Sequence, residues 1–414
     1  MRFYCLIFLF VLRGPLSAQT VDTLRLNLKE ADQRFLEKNL LLLANHANID
    51  VAKAFTEQAR LWDNPVLSTS NGLFNTSTVR LNPQQAYVQI GQLFRLGQKR
   101  QKLVGIQQEN ERLSEAQFND LLRNLRYTLH TRFYQLANGY ERLQLIEKEQ
   151  VAIQNLLAKM NPLVKSGNAT QKDLVRIETI AYGLEQDALA IRTDNVNAES
   201  DVKTLLQIST ADTTLLPVLT QNTEGSLKIL TATELLAEAQ RNRPDVQIAL
   251  SQNQLAQKNL VYQKALVTPD LSVSLGFDPA GTFASNGFNV GLSLPLNVFN
   301  RNQGNIKAAQ IGINQAQRSY EATAAQVQNQ ILSAYTRVQI LENALKTDKN
   351  DFFKTFDVLM QNVTNLYQTK QVSLLDFIDM FQSYKDTQLS RLQTKNNANL
   401  AKEELNFQVG RQVF

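Results

Sequence analysis

Residues Tyr367–Asp379, YQTKQVSLLDFID, have an earlier counterpart at Val164–Arg176, VKSGNATQKDLVR, and that pairing decides how the chain is read. Placing Asp376 on Asp173 gives an offset of about two hundred residues, and other landmarks keep nearly the same offset. Asn64-Pro-Val-Leu-Ser matches Thr268-Pro-Asp-Leu-Ser, and LNLKEA from Leu26 matches LTATEL from Leu230. The chain therefore reads as an internal duplication, with repeats at about 22–207 and 228–410 joined by a Thr-rich connector, 208–230, that holds Pro217 and Gly225. Each repeat runs helix, strand, strand, long helix, turn, long helix.

The quoted turn closes a helical hairpin. Between Gly97 and Lys165 no proline occurs before Pro162, and Leu136, Tyr140, Leu143, Glu147, Gln150, Ile153, Leu157, Met160 and Val164 recur at alternating three and four. At 1.5 Å per residue such a helix is about 100 Å long. Its equivalent is expected from Gln303 to about Thr369. Both turn back, through Ser166-Gly167-Asn168 and Lys370-Gln371, into helices over Thr170–Gln207 and Ser373–Phe407. Helices this long need antiparallel partners, so each chain should hold two coiled hairpins. Shorter helices are expected over Leu28–Lys38, Ala44–Trp62 and Asp245–Leu266, the last two stopped by Pro65 and Pro269, which remove a backbone donor and clash with the preceding turn.

The residues after each proline alternate with period two. Leu271, Val273, Leu275 and Phe277 alternate with Ser272, Ser274 and Gly276; Phe288, Val290, Leu292, Leu294 and Leu296 alternate with Asn289, Gly291, Ser293 and Pro295. Large apolar groups thus share one face. Strands are expected at about 66–74, 86–96, 270–278 and 287–298, with polar loops at 75–85 and 278–287. Apolar residues on one face and small polar ones on the other, over about ten residues, form the pattern of a transmembrane barrel strand; the same pattern also suits a half-buried hairpin on a soluble core.

Composition narrows the function. Charged residues make up 20% of the chain at formal net charge +5, too small and scattered a surplus for nucleic acid. Residues 1–18, with Arg2, an apolar run from Tyr4 to Leu12 and Leu16-Ser17-Ala18 at the end, read as a secretory signal peptide that takes away Cys5, the chain's one cysteine. No later segment has the eighteen or so apolar residues of a membrane helix, so an exported chain that meets a membrane must do so with strands. The two histidines, His46 and His130, are far apart and read as structural, and no nucleophile–base pair, zinc spacing or Gly-rich phosphate loop appears. Catalysis, cofactors and metal ligation are therefore not expected.

The turns do hold carboxylates. Thr170-Gln-Lys-Asp173 and Ser373-Leu-Leu-Asp376 are capping-box patterns. Asp379 lies past the first turn, where capping and the helix dipole gain little from it, and shares a face with Asp376. Where hairpin ends converge about a symmetry axis, such carboxylates make an acidic ring at a constriction. Four strands cannot close a barrel, since about eight is the minimum, and lipid tolerates no open strand edge; two chains would supply eight strands and three twelve.

From Leu26 to Arg411 these residues resemble the TolC-type outer-membrane efflux protein family. The resemblance rests on Gln58-Ala-Arg-Leu-Trp-Asp-Asn-Pro65, Leu294-Pro-Leu-Asn-Val-Phe-Asn-Arg-Asn-Gln-Gly-Asn305 and the turn Tyr367–Asp379; the middle passage, with Leu96-Gly-Gln-Lys-Arg100, is most similar to the cobalt-zinc-cadmium and copper efflux branch. It implies a mainly α fold with a membrane β-barrel: a homotrimer sharing one twelve-stranded barrel in outer-membrane lipid, above a long periplasmic helical tunnel. It also implies docking of a periplasmic adaptor (membrane fusion) protein and an inner-membrane pump of the RND type, with small molecules or metal cations expelled passively. Tyr367, Asp376 and Asp379 fall where that family builds its periplasmic gate, and Asp173 sits on the neighbouring turn. Gly167 keeps the family's left-handed turn position; Lys370 stands where a glycine is usual and Val372 where some members have a gate arginine. The same architecture also serves type I protein secretion. A periplasmic coiled-coil adaptor or scaffold is the reading without a membrane part, but adaptors typically carry one hairpin and a lipoyl-like β domain that this sequence does not show.

Overall fold

The computed structural model of the 414-residue chain describes residues 22–70, 87–208, 213–219, 231–279, 286–346, 350–369 and 371–414. The leader 1–18, strand positions 71–74 and the loop 75–85 lie outside the described residues. In chain order the elements are β1 (Asp22–Asn27), α1 (Leu28–Lys38), α2 (Leu40–Arg60), β2 (Val66–Ser70), β3 (Tyr87–Phe94), α3 (Lys99–Lys165), α4 (Gln171–Leu206), β4 (Thr213–Val218), α5 (Ala232–Asn242), α6 (Pro244–Ala265), β5 (Leu271–Asp278), β6 (Gly287–Ser293), α7 (Gln303–Lys346), α8 (Asn350–Gln368) and α9 (Leu374–Val409). The helix expected over 303–369 is thus described as two, α7 and α8, with 347–349 outside the described residues.

The chain forms two compact units, one from the residues up to Lys38 with Arg132–Gln221, the other from Asn39–Thr131 with Asn222–Phe414. In the first, α4 and the part of α3 from Arg132 form an antiparallel hairpin. Buried Leu184, Ala188, Ile191, Asn195, Ala198, Val202 and Leu206 step by four and three along α4. That spacing keeps one seam on the partner helix. The seam of α3 runs through Leu136, Ile146, Glu149, Ile153, Leu156 and Met160: the expected Leu136, Ile153 and Met160 are in it, while Ile146, Glu149 and Leu156 replace the expected Glu147, Gln150 and Leu157 one residue on. Glu147 instead points outward to Arg192 at 2.8 Å, and Arg132 meets Asp201 at 2.9 Å. The phase follows from a close approach at Gly139, where a Cβ would stand 1.7 Å from Asn195 Oδ1. A glycine there lets the polar Asn195 side chain enter the seam.

The connector is more structured than its composition suggests. Residues Thr213–Val218 form β4, which pairs in parallel with β1 in the register Leu24↔Leu215. Leu215 is fully buried in the same unit as Phe35 and Ala31 of α1, and Arg34 Nε donates to Leu206 O at the end of α4.

In the second unit α5, α6, α7 and α9 enclose a core of Leu235, Ala239, Val246, Val327, Ile331, Ala334, Val338, Ala401, Leu405 and Val409. Each fully buried aliphatic side chain contributes about 1.5–3 kcal/mol. Phe414 packs on this core, its amide donating to Asn406 Oδ1 and its ring lying under Lys402 Nζ. Across the core's polar margin the buried Arg243, at the α5–α6 junction, donates to both carboxylate oxygens of Asp245, to Gln408 O and Oε1, and to Gln330 Oε1, tying three helices together. Arg123 stands 3.6 Å from Asp245, held on its own helix by Asp120.

Burial pushes the Asp245 carboxyl up, yet hydrogen bonds from Arg243, the charges of Arg123 and Arg243 and the Val246 amide together bring it below its ordinary value. A lowered folded-state value means the folded form binds fewer protons than the unfolded chain; the stability it brings is present above the unfolded carboxyl value of about 3.9 and is lost as pH falls through the folded one. Asp245→Asn is expected to lower stability at neutral pH by about 1–3 kcal/mol, since Arg243 loses charged acceptors. In chemical unfolding the gap to the wild type should close below about pH 4; a gap that stays constant through that range would remove the charge from the account.

Candidate functional site

Two places carry chemistry that packing alone does not explain: the four-stranded sheet and the helical turns. The sheet has the order β2-β3-β5-β6, every pair antiparallel. Its register sets Leu67 beside Ile90, Ile90 beside Leu275 and Leu275 beside Val290, with Val88, Phe277 and Phe288 in the next row of that face. All but the half-buried Phe277 are open to the surroundings: Phe288 is 77% exposed and Val290 72%, as is Leu292 farther along at 71%. The opposite face carries Ser68, Gln89, Gly91, Ser274, Gly276, Asn289 and Gly291. The sheet therefore has most of its large apolar groups outward and its small polar groups on the reverse, where Val66 beside Gly91 and Leu93 beside Ser272 are the apolar exceptions at the helical end; this is the inverse of a sheet laid on a soluble core. Gln92 is the exception in the apolar rows, and its amide is satisfied by the carbonyls of Asp63 and Leu93.

The strands end where helices must begin, and the sequence passages that carry the family resemblance build those junctions. Gly97 and Gln98 both take left-handed backbone, φ 67° and 58°, and a Cβ on Gly97 would meet Thr268 Oγ1 at 2.9 Å. Asp270 accepts from the Leu96 amide at 3.0 Å and from the nearly buried Lys99 Nζ at 2.7 Å. Arg95 pairs with Asp63 at 2.7 Å, and the Arg100 guanidinium lies 3.8 Å over the exposed Trp62 ring. On the second junction β6 stops at Ser293, short of the expected 298. Pro295 has no amide to extend the ladder, and Asn297 turns its side chain to Val267 O at 2.6 Å. Asn302, at φ 57°, then bonds Gln263 O and Oε1 at 2.8 and 2.9 Å as α7 starts.

The two hairpin turns share local geometry. After α3, Gly167 takes φ 75° and the Asn168 amide donates to Leu163 O at 2.8 Å; after α8, the Gln371 amide donates to Leu366 O at 2.8 Å. Thr170 caps α4 by accepting from the Asp173 amide, and Ser373 caps α9 by accepting from the Asp376 amide. These bonds repeat at one constant spacing, from 163 to 366 and from 173 to 376. The helix starts Asn27–Glu30 and Thr231–Glu234 likewise share reciprocal capping. The Asp376 carboxylate accepts from the Ser373 hydroxyl at 2.6 Å. Asp379 is exposed and has no hydrogen-bond or ion-pair partner among the described residues. Tyr367 stacks on Phe377 at 5.1 Å, and Phe377, buried, stacks on Phe381 at 6.0 Å, so an aromatic ladder fixes the start of α9 under the two carboxylates. Asp173 and Gly167 belong to the other unit, and Lys370 lies outside the described residues.

His130 joins α3 to α9 through Glu403 at 2.7 Å, while His46 meets Phe118 edge-on, so both histidines serve packing. No group of three or more His, Cys, Asp or Glu fit to hold a metal ion occurs among the described residues, and no helix among them is long and apolar enough to cross a membrane. The sequence reading missed the ionic pins at Asp63 and Asp270 and the polar cluster around Tyr87 on the reverse of the sheet. The proximity of Asp63 to Pro65 and of Asp270 to Pro269 was the available signal for the pins.

Residues 235–411 match the family described as Outer membrane efflux protein. The cobalt-zinc-cadmium resistance protein CzcC of Cupriavidus metallidurans is 22% identical over 346 residues, 82% of this chain and 79% of that protein. In fold the chain is similar to CusC, whose structures concern transmembrane channel formation, with TM-score 0.77 and 17% identity over 93% of this chain and 92% of that one. It is similar also to the outer-membrane channel OprN, with TM-score 0.76 and 16% identity over 92% and 89%, and to VceC of Vibrio cholerae, with 0.73 and 16% over 94% and 97%.

An arginine at the centre of the apolar face tests its surroundings. Val290→Arg is expected to cost about 2–4 kcal/mol of stability in a bilayer, with Ser68→Arg on the reverse face tolerated. Urea unfolding of both variants in lipid vesicles makes the comparison; equal losses would mean that neither face meets hydrocarbon.

Proposed function

We propose that this chain, an outer membrane efflux family channel set in the outer membrane with a large periplasmic helical part, is the exit duct of a tripartite efflux system. The chain is a channel and not an enzyme. Three copies close one twelve-stranded barrel, and their hairpins form a periplasmic tunnel that docks an adaptor protein and, through it, an inner-membrane pump of the RND type. The observation that carries this reading is the four-stranded sheet, with its apolar face exposed and with β2 and β6 each paired on one side only among the described residues. Hydrocarbon offers no hydrogen-bond partner, so both edges need strands. Four strands cannot close alone, and head-to-tail contacts between copies bring β6 of one to β2 of the next until the ring closes. Twelve strands leave a lumen wide enough for water, and the small polar face suits its wall.

The shared turn and cap geometry supports an internal duplication, in which each chain gives the tunnel two equivalent hairpins. Flow through such a duct makes and breaks no bond, and its energy comes from the pump. Similarity to a cobalt-zinc-cadmium resistance protein supports metal cations as the cargo, with other small molecules as the wider class. A periplasmic scaffold would leave the apolar face with nothing to cover it.

At the turn before α9, Asp376 and Asp379 of three copies form an acidic ring, seated on Tyr367 and Phe377. This is the periplasmic gate. Asp376 divides its role between capping and the ring, while exposed Asp379 belongs to the ring alone.

Membrane fractionation should recover the protein as detergent-extracted trimers; a soluble periplasmic monomer would sink the duct reading. Asp376→Ala combined with Asp379→Ala is expected to raise single-channel conductance in planar bilayers or to reduce the preference for cations. Unaltered conductance and selectivity would leave these carboxylates with capping only.

A further inference from the structure

On the small polar face of the sheet, whose large groups at the helical end are Val66 and Leu93, one aromatic side chain stands at the other end. Tyr87 opens β3, and its ring does not project from the face but lies along it. The hydroxyl donates to Gln89 Oε1 at 2.8 Å and has Asn289 Oδ1 as a second acceptor at 3.3 Å. Beneath the ring is Gly276. A Cβ there would stand 2.4 Å from Tyr87 Oη and 2.5 Å from Asn289 Oδ1, and Gly276 is buried on a face whose other residues are open or half-open. An aromatic ring laid over a strand glycine covers the backbone that the glycine leaves bare. Three strands are thus clipped at one row: β3 supplies the ring and one amide, β5 the gap, β6 the second amide.

The position of this row in the duct is set by the connections. Helices enter β2 and β5 and leave β3 and β6 at one end of the sheet; Tyr87 lies at the other, where the loops after Ser70 and Asp278 join the strands. With the helical part in the periplasm, Tyr87 sits at the outer mouth.

We propose that Tyr87 sets the bore of the duct at its outer mouth, held flat against the wall by the Gly276 gap and the two amides, so that three rings leave the mouth open and three released rings narrow it. The inference rests on the duct reading above. Tyr87 acts directly on passing cargo, and Gly276, Gln89 and Asn289 act through it as positioning residues. Cargo size is then governed at the mouth by a side chain that points along the wall, independently of the acidic gate at the far end.

The test uses the full chain, purified as the wild type and inserted into planar bilayers, with single-channel conductance and the exclusion of graded neutral polyethylene glycols as readouts. Gly276→Ala removes the gap, so the ring must swing into the lumen, and a loss of conductance with a smaller exclusion size is expected. Tyr87→Ala should conduct at least as well as the wild type. The double variant Gly276→Ala/Tyr87→Ala should regain that level, because the added methyl then has no ring to displace. A purely structural clip predicts otherwise, with the double variant no better than Gly276→Ala. Wild-type conductance in Gly276→Ala, or a persisting loss in the double variant, overturns the proposal. Should Gly276→Ala fail to assemble, Tyr87→Phe keeps the ring and removes the hydroxyl; its current should step between the wild-type level and a lower one, and a steady wild-type current there overturns the proposal as well. A wild-type protein that forms no channel at all would instead refute the duct reading beneath it.

Discussion

Backbone amides and carbonyls at the two edges of the sheet are the constraint on which the rest of this structure depends. β2 and β6 are each paired on one side only among the described residues, and the face between them is apolar and open. Water could satisfy the edges but not the face, and hydrocarbon the face but not the edges. A closed ring of strands satisfies both at once, which is what the proposed duct supplies. In the proposed duct the small residues on the reverse of the sheet leave the bore open.

The junctions between strands and helices convert that demand into a rigid part. Left-handed backbone at Gly97, Gln98 and Asn302 reverses direction in few residues, and side chains then pin the corners: Asp270 on the Leu96 amide and Lys99, Asp63 on Arg95, Asn302 on Gln263. Each pin joins positions on different elements, so the sheet cannot rotate against the helices that enter it without breaking several charge-assisted bonds at once. Farther along the second unit, Arg243 at the α5–α6 junction does the same for α6, α7 and α9. Buried charge is tolerated there because all of the partners converge on one guanidinium.

Much of this was legible in the sequence, and the reasons differ from element to element. Period-two alternation from Leu271 to Phe277 announced a two-faced strand because side chains on a pleated backbone must alternate. The capping residues Thr170 and Ser373 announced helix starts because a hydroxyl accepts an amide three residues on. The end of β6 was misjudged because Leu294 and Leu296 continue the alternation after Pro295 has ended the ladder. The α3 seam was read rightly at Leu136, Ile153 and Met160 and one residue late at Glu147, Gln150 and Leu157, since the fit of Asn195 against Gly139 involves another helix. The pairing of β1 with β4 joins residues nearly two hundred positions apart, and no local pattern in a Thr-rich connector predicts a parallel partner.

By itself the sequence determined the local elements, the two-faced strands and the long hairpins, because each follows from the conformational preferences of residues within a few positions of one another. It also placed Tyr367, Asp376 and Asp379 on one turn. The tertiary structure alone decided which side chains meet: Tyr87 over Gly276, Arg243 among Asp245, Gln330 and Gln408, Asn195 in the space left by Gly139. Such contacts depend on the register between elements and on the volume that each leaves for the other, and neither quantity is a property of a single segment of chain.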